Sequence, residues 1–201
     1  MHRWIFTYLL AFVCSIGEGR AQSVGMRINN EFSEEPVASN VLGGGLYISF
    51  KDSSKHVGLT LALDYNRKKK TFPQAIGCFG TGFNSQYSRA VVSVVAFYQL
   101  GHTNHFEFNC GLGASFEQAQ FAETGIAANW LCSTKSNYGG FNITGLMKFK
   151  PKIHSKFSLD LFVSPQYLFQ ISSNDQPIGN PSLSRPNRLL LNFDIGIAYS
   201  L

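Results

Sequence analysis

Hydrophobic and polar residues alternate one for one along most of this chain, in blocks separated by stretches where the alternation stops. The C-terminal block shows it well. Leu189, Leu191, Phe193, Ile195, Ile197, Tyr199 and Leu201 fall on one face, and Leu190, Asn192, Asp194, Gly196, Ala198 and Ser200 on the other. A period of two over this length predicts a β-strand between two different environments. The apolar face runs to the last residue given, with no polar cap. Such an edge is a liability in water, whereas in a closed barrel the last strand pairs with the first and no edge remains.

Seven further blocks alternate in the same way, at 24–29, 42–50, 57–66, 89–100, 106–117, 140–149 and 157–170. The pattern is weakest in the fourth, where Val91, Val95 and Phe97 occupy the second face. Pro165 predicts a bulge in the seventh. Gly43 to Gly45 lack the following Lys-Ser/Thr of a phosphate loop, and close packing inside a narrow barrel accounts for them better. Connections alternate in length: 32–40, 67–86, 118–137 and 172–187 are long, while 51–56, 101–105 and 151–155 are short. The fold expected is all-β, an antiparallel up-and-down transmembrane barrel of about eight strands, most of them about ten residues or longer.

Composition sharpens this. Charged residues make up only 14% of the chain and aromatics another 14%. The second face of the strands is mostly Gly, Ser, Asn and Thr, which suits a crowded lumen better than a water-facing exterior. That argues against a soluble calyx with its apolar face turned inward. Phe50, Tyr65, Tyr98, Phe106, Phe116, Phe149, Phe157, Phe169 and Tyr199 lie near strand ends, where interfacial aromatic girdles belong. A basic start at His2 and Arg3, an apolar run from Trp4 to Ile16 and small residues at 19–21 predict a signal peptide over 1–21, leaving a single domain over 22–201. Cys14 follows Val13 rather than a small residue, so lipidation is not expected. Without 1–21 the chain holds 15 Lys and Arg against 11 Asp and Glu, a mild excess not gathered as a nucleic-acid reader requires.

Asp194, Gly196, Tyr199 and Leu201 match the polar-x-Gly-x-x-aromatic-x-hydrophobic ending of many outer-membrane β-barrel proteins. With eight strands and alternating connections, the chain from residue 22 onward resembles the small OmpA-like outer-membrane barrels. The resemblance implies a bacterial outer-membrane location, membrane lipid and lipopolysaccharide as surroundings, and recognition of those four residues by the barrel-assembly machinery. It also implies a monomer without cofactor or nucleic-acid partner, here lacking the family's peptidoglycan-binding domain after the barrel.

Several clusters have candidate chemistry. His56, His102, His105 and His154 all fall in short turns, away from the outer leaflet where a lipid-modifying enzyme would need its general base. His102 and His105 lack a nearby Cys or carboxylate, so polar turn residues are the simpler reading than a metal site. Arg27, Asp64, Arg89, Glu107, Lys148, Asp160 and Asp194 fall on the inward face and predict lumen ion pairs, as does Glu117. The expected pairs are Glu107 with Lys148, Asp64 with Arg89, and Arg27 with Asp194. Arg67, Lys68, Lys69 and Lys70 form a basic run at the outer rim able to meet lipopolysaccharide phosphates, helped by Arg89, Arg185 and Arg188. Cys78 and Cys132, both in long connections, are candidates for a disulfide. Three functions stay open: a structural or surface-loop barrel with a filled lumen, a narrow pore or small-solute transporter, and an outer-leaflet lipid-modifying enzyme.

Overall fold

The computed structural model describes residues 23–33, 40–52, 56–72, 83–125, 131–151, 156–174 and 187–201. The proposed signal peptide lies outside them. Eight antiparallel strands follow one another around a closed barrel: β1 (Ser23–Ser33), β2 (Val41–Asp52), β3 (Val57–Phe72), β4 (Phe83–His102), β5 (Phe106–Gly125), β6 (Leu131–Phe149), β7 (Phe157–Asn174) and β8 (Asn187–Ser200). β8 closes on β1 through Met26↔Ile197 and Asn29↔Asp194 among other pairs. Both ends of the described chain therefore sit at one rim, here called the terminal end.

The period-two pattern sorts side chains as the sequence predicts. Met26, Leu46, Leu112, Ile143 and Ile195 stand exposed on the outer wall. Tyr47, Phe97, Leu146 and Phe162 are buried inside. An eight-stranded barrel has an interior about wide enough for side chains to fill, so the core is the lumen. An apolar exterior of this extent would be unstable in water and suits hydrocarbon. Aromatic pairs border it: Phe106–Phe149 and Phe157–Tyr199, with ring centroids 5.2 and 5.1 Å apart, at the terminal end, and Phe141–Phe169 at 5.8 Å toward the other.

Four strands run further than their alternation indicates. β3 continues through Lys70 to Phe72, β4 begins at Phe83, β5 reaches Gly125 and β6 starts at Leu131. Much of what reads as long loops at 67–86 and 118–137 is thus paired strand. The cause is chemical: above the apolar belt the outward positions become Arg67, Lys69, Gln86, Ser88, Gln118 and Gln120. With the outward face no longer apolar the period fades while the ladder continues. Pro165 makes no bulge either. β6 and β7 keep one register on both sides of it, from Asn142↔Gln166 to Gly145↔Val163, with only the intervening pairs missing opposite a residue that has no N–H. Register shifts occur instead between Gln99 and Gly101 and between Asn137 and Tyr138.

The three glycines of β2 divide by face. A Cβ on Gly43 or Gly45 would lie 2.2 Å from Asn66 Oδ1 or 2.0 Å from Asp64 Oδ1, so the lumen requires their small size. Gly44 faces out, and a Cβ there would meet nothing nearer than the Arg27 carbonyl at 3.5 Å. Close packing explains two of the three.

Candidate functional site

The polar chemistry of the barrel lies inside it, in three tiers. Nearest the terminal end, Asp160 is wholly buried and accepts hydrogen bonds from Tyr47 Oη at 2.8 Å and Ser158 Oγ at 2.7 Å. Lys148 Nζ stands 3.7 Å from the same carboxylate. The Tyr47 ring meets Phe162 edge-on at 5.4 Å, closing the passage at this height. At the mouth, Glu107 binds Lys51 at 2.8 Å and Lys150 at 3.4 Å.

In the middle tier Arg27 lies between two acids, with Nε donating to Asp64 Oδ1 at 2.8 Å and Nη1 3.1 Å from Asp194 Oδ2. Its guanidinium also covers the Phe162 ring at 5.2 Å. Above it, Arg89 is 2% exposed and joins Glu31 and Glu117, both 0% exposed, with Nε 2.7 Å from Glu117 Oε2. Arg89 Nη2 also donates to Gln166 Oε1 at 3.1 Å. Arg188 stands 3.6 Å from Glu117 and is flanked by the rings of Tyr87 and Tyr138, at 5.7 and 5.4 Å. Val41, Ala119, Leu168 and Leu190 pack with the two tyrosines as an apolar layer. Charges this deep need partners, because an unpaired one costs several kcal/mol.

Between these seals remains a cavity of about 40 Å³, lined by Arg27, Asp64, Arg89, Asp194, Asn29 and Asn66 among others. That is room for about two or three waters. Asn29, Asn66 and Asp194 each turn an Oδ1 that no protein donor reaches toward this polar interior.

Several sequence-predicted sites fall elsewhere. Asp64 bonds Arg27 rather than Arg89. Gly45 stands between them in register (Arg27↔Gly45↔Asp64), and its missing side chain lets the guanidinium cross β2. Arg89 instead reaches over the lumen to Glu31, an acid whose inward parity with Arg27 and Asn29 was the available signal. Glu107 and Lys148 are register partners, yet Glu107 takes Lys51 and Lys150 while Lys148 turns to Asp160, its partner on β7. Arg89 and Arg188 cannot assist at the outer rim, being buried at 2% and 6%. Position 188 shares the parity of inward Leu190 and Asp194, which marks it as a lumen residue.

The basic run divides by strand parity, with Arg67 and Lys69 exposed, Lys68 half-buried on the inward parity, and the Lys70 side chain outside the description. Arg185, His154 and Cys78 lie outside the described residues, as does the Cys132 side chain, so the Cys78–Cys132 pairing is not described. Cys110 is free and exposed on the outer wall. Among the described residues no three His, Cys, Asp or Glu side chains converge as metal ligands. His56, His102 and His105 lie at the terminal end.

The four residues of the C-terminal pattern have structural places. Asp194 holds Arg27. Gly196 leaves room for Tyr47, whose Oη would lie 3.0 Å from a Cβ there. Tyr199 packs on Phe157 with Lys156 Nζ 5.6 Å from its ring centroid, and Leu201 is exposed.

No protein-family model matches the chain, nor does any curated protein. Solved structures do. A major outer membrane protein from Thermus thermophilus superposes with a TM-score of 0.61 at 15% identity, over 90% of this chain and 100% of that one. This chain has the eight-stranded outer-membrane barrel fold. Ail, the attachment invasion locus protein of Yersinia pestis, gives a TM-score of 0.48 at 14% identity, covering 89% of this chain and 95% of that one. Neisserial surface protein A gives 0.48 at 11%, covering 91% and 99%. At these identities the likeness concerns fold. Any role for this barrel must come from its own lumen and walls.

Proposed function

We propose that this chain is an integral protein of a bacterial outer membrane, acting as a sealed, monomeric scaffold that presents the connections at its non-terminal end to the cell exterior. The carrying observation is the lumen, blocked at two heights by Tyr47–Phe162 and by the Arg89–Glu31–Glu117–Arg188 cluster, with a cavity of about 40 Å³ between. The apolar belt supports residence in lipid. The C-terminal pattern supports delivery by the assembly machinery, after removal of a signal peptide over 1–21. Arg67 and Lys69 support contact with lipopolysaccharide. This reading assigns the chain no reaction and no cofactor.

Planar-bilayer recording on the purified, folded protein tests it, together with swelling of liposomes that contain it. The expected result is no steady conductance and no solute-dependent swelling. Large, lasting conductance steps would replace the scaffold with the pore reading.

A further inference from the structure

One arginine serves two acids in the middle of the lumen, and their charges do not cancel. Asp64 takes both Nε and Nη2 of Arg27, while Asp194 meets Nη1 through Oδ2 alone, at 3.1 Å. The tiers on either side are balanced. Arg89 and Arg188 face Glu31 and Glu117 above, and Lys148 faces Asp160 below. With both aspartates ionised, one negative charge is left over beside the cavity, and Asp194 Oδ1 is the oxygen free to carry it.

The wall of that cavity has the same bias. Asn66 of β3, Asn29 of β1 and Asp194 of β8 line it in register, with Gly43 of β2 standing between the two asparagines. All three are more than nine-tenths buried, and no protein donor reaches the Oδ1 of any of them. A Cβ on Gly43 would lie 2.2 Å from Asn66 Oδ1 and 2.4 Å from Asn29 Oδ1, so these two oxygens converge over one bare backbone position. The Asn66 amide is oriented by Nδ2, which donates to Glu31 Oε2 at 3.4 Å; turned round, it would set an oxygen against a carboxylate. Asn142 Oδ1, also on the cavity wall, has no donor either. The one wall nitrogen in the same position, Arg89 Nε, faces Glu117 at 2.7 Å. Among the described residues the wall therefore presents oxygens with no hydrogens to meet them. Acceptors held together repel unless positive charge lies between them. A water supplies two hydrogens, whereas a cation attracts every oxygen around it.

We propose that this cavity binds one monovalent alkali cation of sodium's size, held by the Oδ1 atoms of Asn29, Asn66 and Asp194, with water completing its shell. Carboxylate, amide carbonyl and water oxygens are the ligands that hard cations take. A cavity of about 40 Å³ has room for the ion and one or two waters. A single positive charge cancels the one left over. A divalent ion would replace it with an excess of the opposite sign, which is costly away from bulk water. The ion joins β3, β1 and β8, and so ties the closing seam from inside. The site needs a closed barrel but not a silent one, so conductance would overturn the sealed-scaffold reading without touching this one.

The test unfolds the full protein in urea, in phosphatidylcholine vesicles at fixed ionic strength, as sodium chloride replaces N-methylglucamine chloride. The second cation is too large for the cavity. Once sodium exceeds the site's dissociation constant, the folding constant should rise about tenfold for each tenfold rise in sodium, as for one ion bound only by the folded state. Calcium chloride should give no such rise. Asp194→Asn, which removes the charge, and Asn29→Ala, which removes an oxygen, should each flatten the dependence, whereas Gly44→Ala on the outer wall keeps it. Heat-modifiable gel mobility checks that each variant is folded, and Asn29→Ala carries the comparison if Asp194→Asn is not. Equal stability of the unmodified protein in the two salts would overturn the proposal and assign the left-over charge to a proton. Stabilisation by calcium rather than sodium, or an undiminished sodium dependence in folded Asn29→Ala, would overturn it as well.

Discussion

Arg27 and Asp64 are bonded across a strand that separates them: Arg27 Nε donates to Asp64 Oδ1 at 2.8 Å over the bare backbone of Gly45. The pair exists because the residue between has no side chain. An ion bridge spanning three strands ties the closing seam, through Asp194, to the interior of the sheet.

Gly45→Ala should therefore do more harm than its size suggests. The new methyl would lie about where Asp64 Oδ1 now sits, 2.0 Å away, and would displace that carboxylate from Arg27. Losing a buried pair and overpacking the site together predict about 2–4 kcal/mol of destabilisation. Gly44→Ala faces outward, with the Arg27 carbonyl at an ordinary 3.5 Å contact, and should change stability by less than about 0.5 kcal/mol. Urea unfolding of the two variants in lipid vesicles, followed by tryptophan fluorescence, compares them directly. Equal losses would mean that Gly45 does not set the Arg27–Asp64 contact.

Arg89 is the counter-charge for two wholly buried acids, Glu31 and Glu117. Arg89→Met keeps much of the volume but leaves those acids facing each other with only Arg188 nearby. The expected cost is about 3–5 kcal/mol, the range for stripping one partner from a buried pair. Adding Glu31→Gln and Glu117→Gln should restore most of it, because the penalty comes from the uncompensated charges. If the triple variant is no more stable than Arg89→Met alone, packing rather than charge governs this tier.

Lys148 should matter less than its central position implies. Asp160 retains hydrogen bonds from Tyr47 and Ser158, and Glu107 retains Lys51 and Lys150. Lys148→Ala is expected to cost less than about 1.5 kcal/mol, and Tyr47→Phe, which removes a donor to a buried carboxylate, about 1.5–3 kcal/mol. Reversal of that order in unfolding midpoints would make the 3.7 Å Lys148 contact the principal support of Asp160.

These cases mark where sequence reading ends. The strand count and the inward set were legible because one face meets hydrocarbon and the other a packed lumen, which writes a period of two into residues such as Ile195 and Asp194. The upper parts of β3 to β6 were not, since Lys69 and Gln86 end the apolar outward face. Ion-pair partners were only half legible. Parity places Arg27, Asp64 and Arg89 inside, but long side chains choose partners by which neighbours are absent. Gly45 opens the way from Arg27 to Asp64, while Arg89 crosses the lumen to Glu31. Arg188 read as a rim cation because it opens its strand, although its parity with Leu190 turns it inward.

The two seals lie in series, and that arrangement makes a sharp prediction about conductance. Current through a narrow passage is limited by its tightest point, so removing one constriction leaves the other closed. Tyr47→Ala with Phe162→Ala clears the lower ring pair. Arg89→Ala with Glu117→Ala removes the ion pair at the centre of the upper seal, where Arg89 Nε lies 2.7 Å from Glu117 Oε2. Either double variant should remain silent in planar bilayers. The quadruple variant should show frequent openings, because the cavity between the seals, about 40 Å³ and lined by Arg27, Asp64 and Asp194, is already polar enough to hold water. Gel mobility with and without heating establishes that each variant is a folded barrel before recording. Openings in the lower-seal variant alone would mean that the upper cluster breathes. A silent but folded quadruple variant would mean that the middle tier, Arg27 with its two aspartates, is itself a third closure.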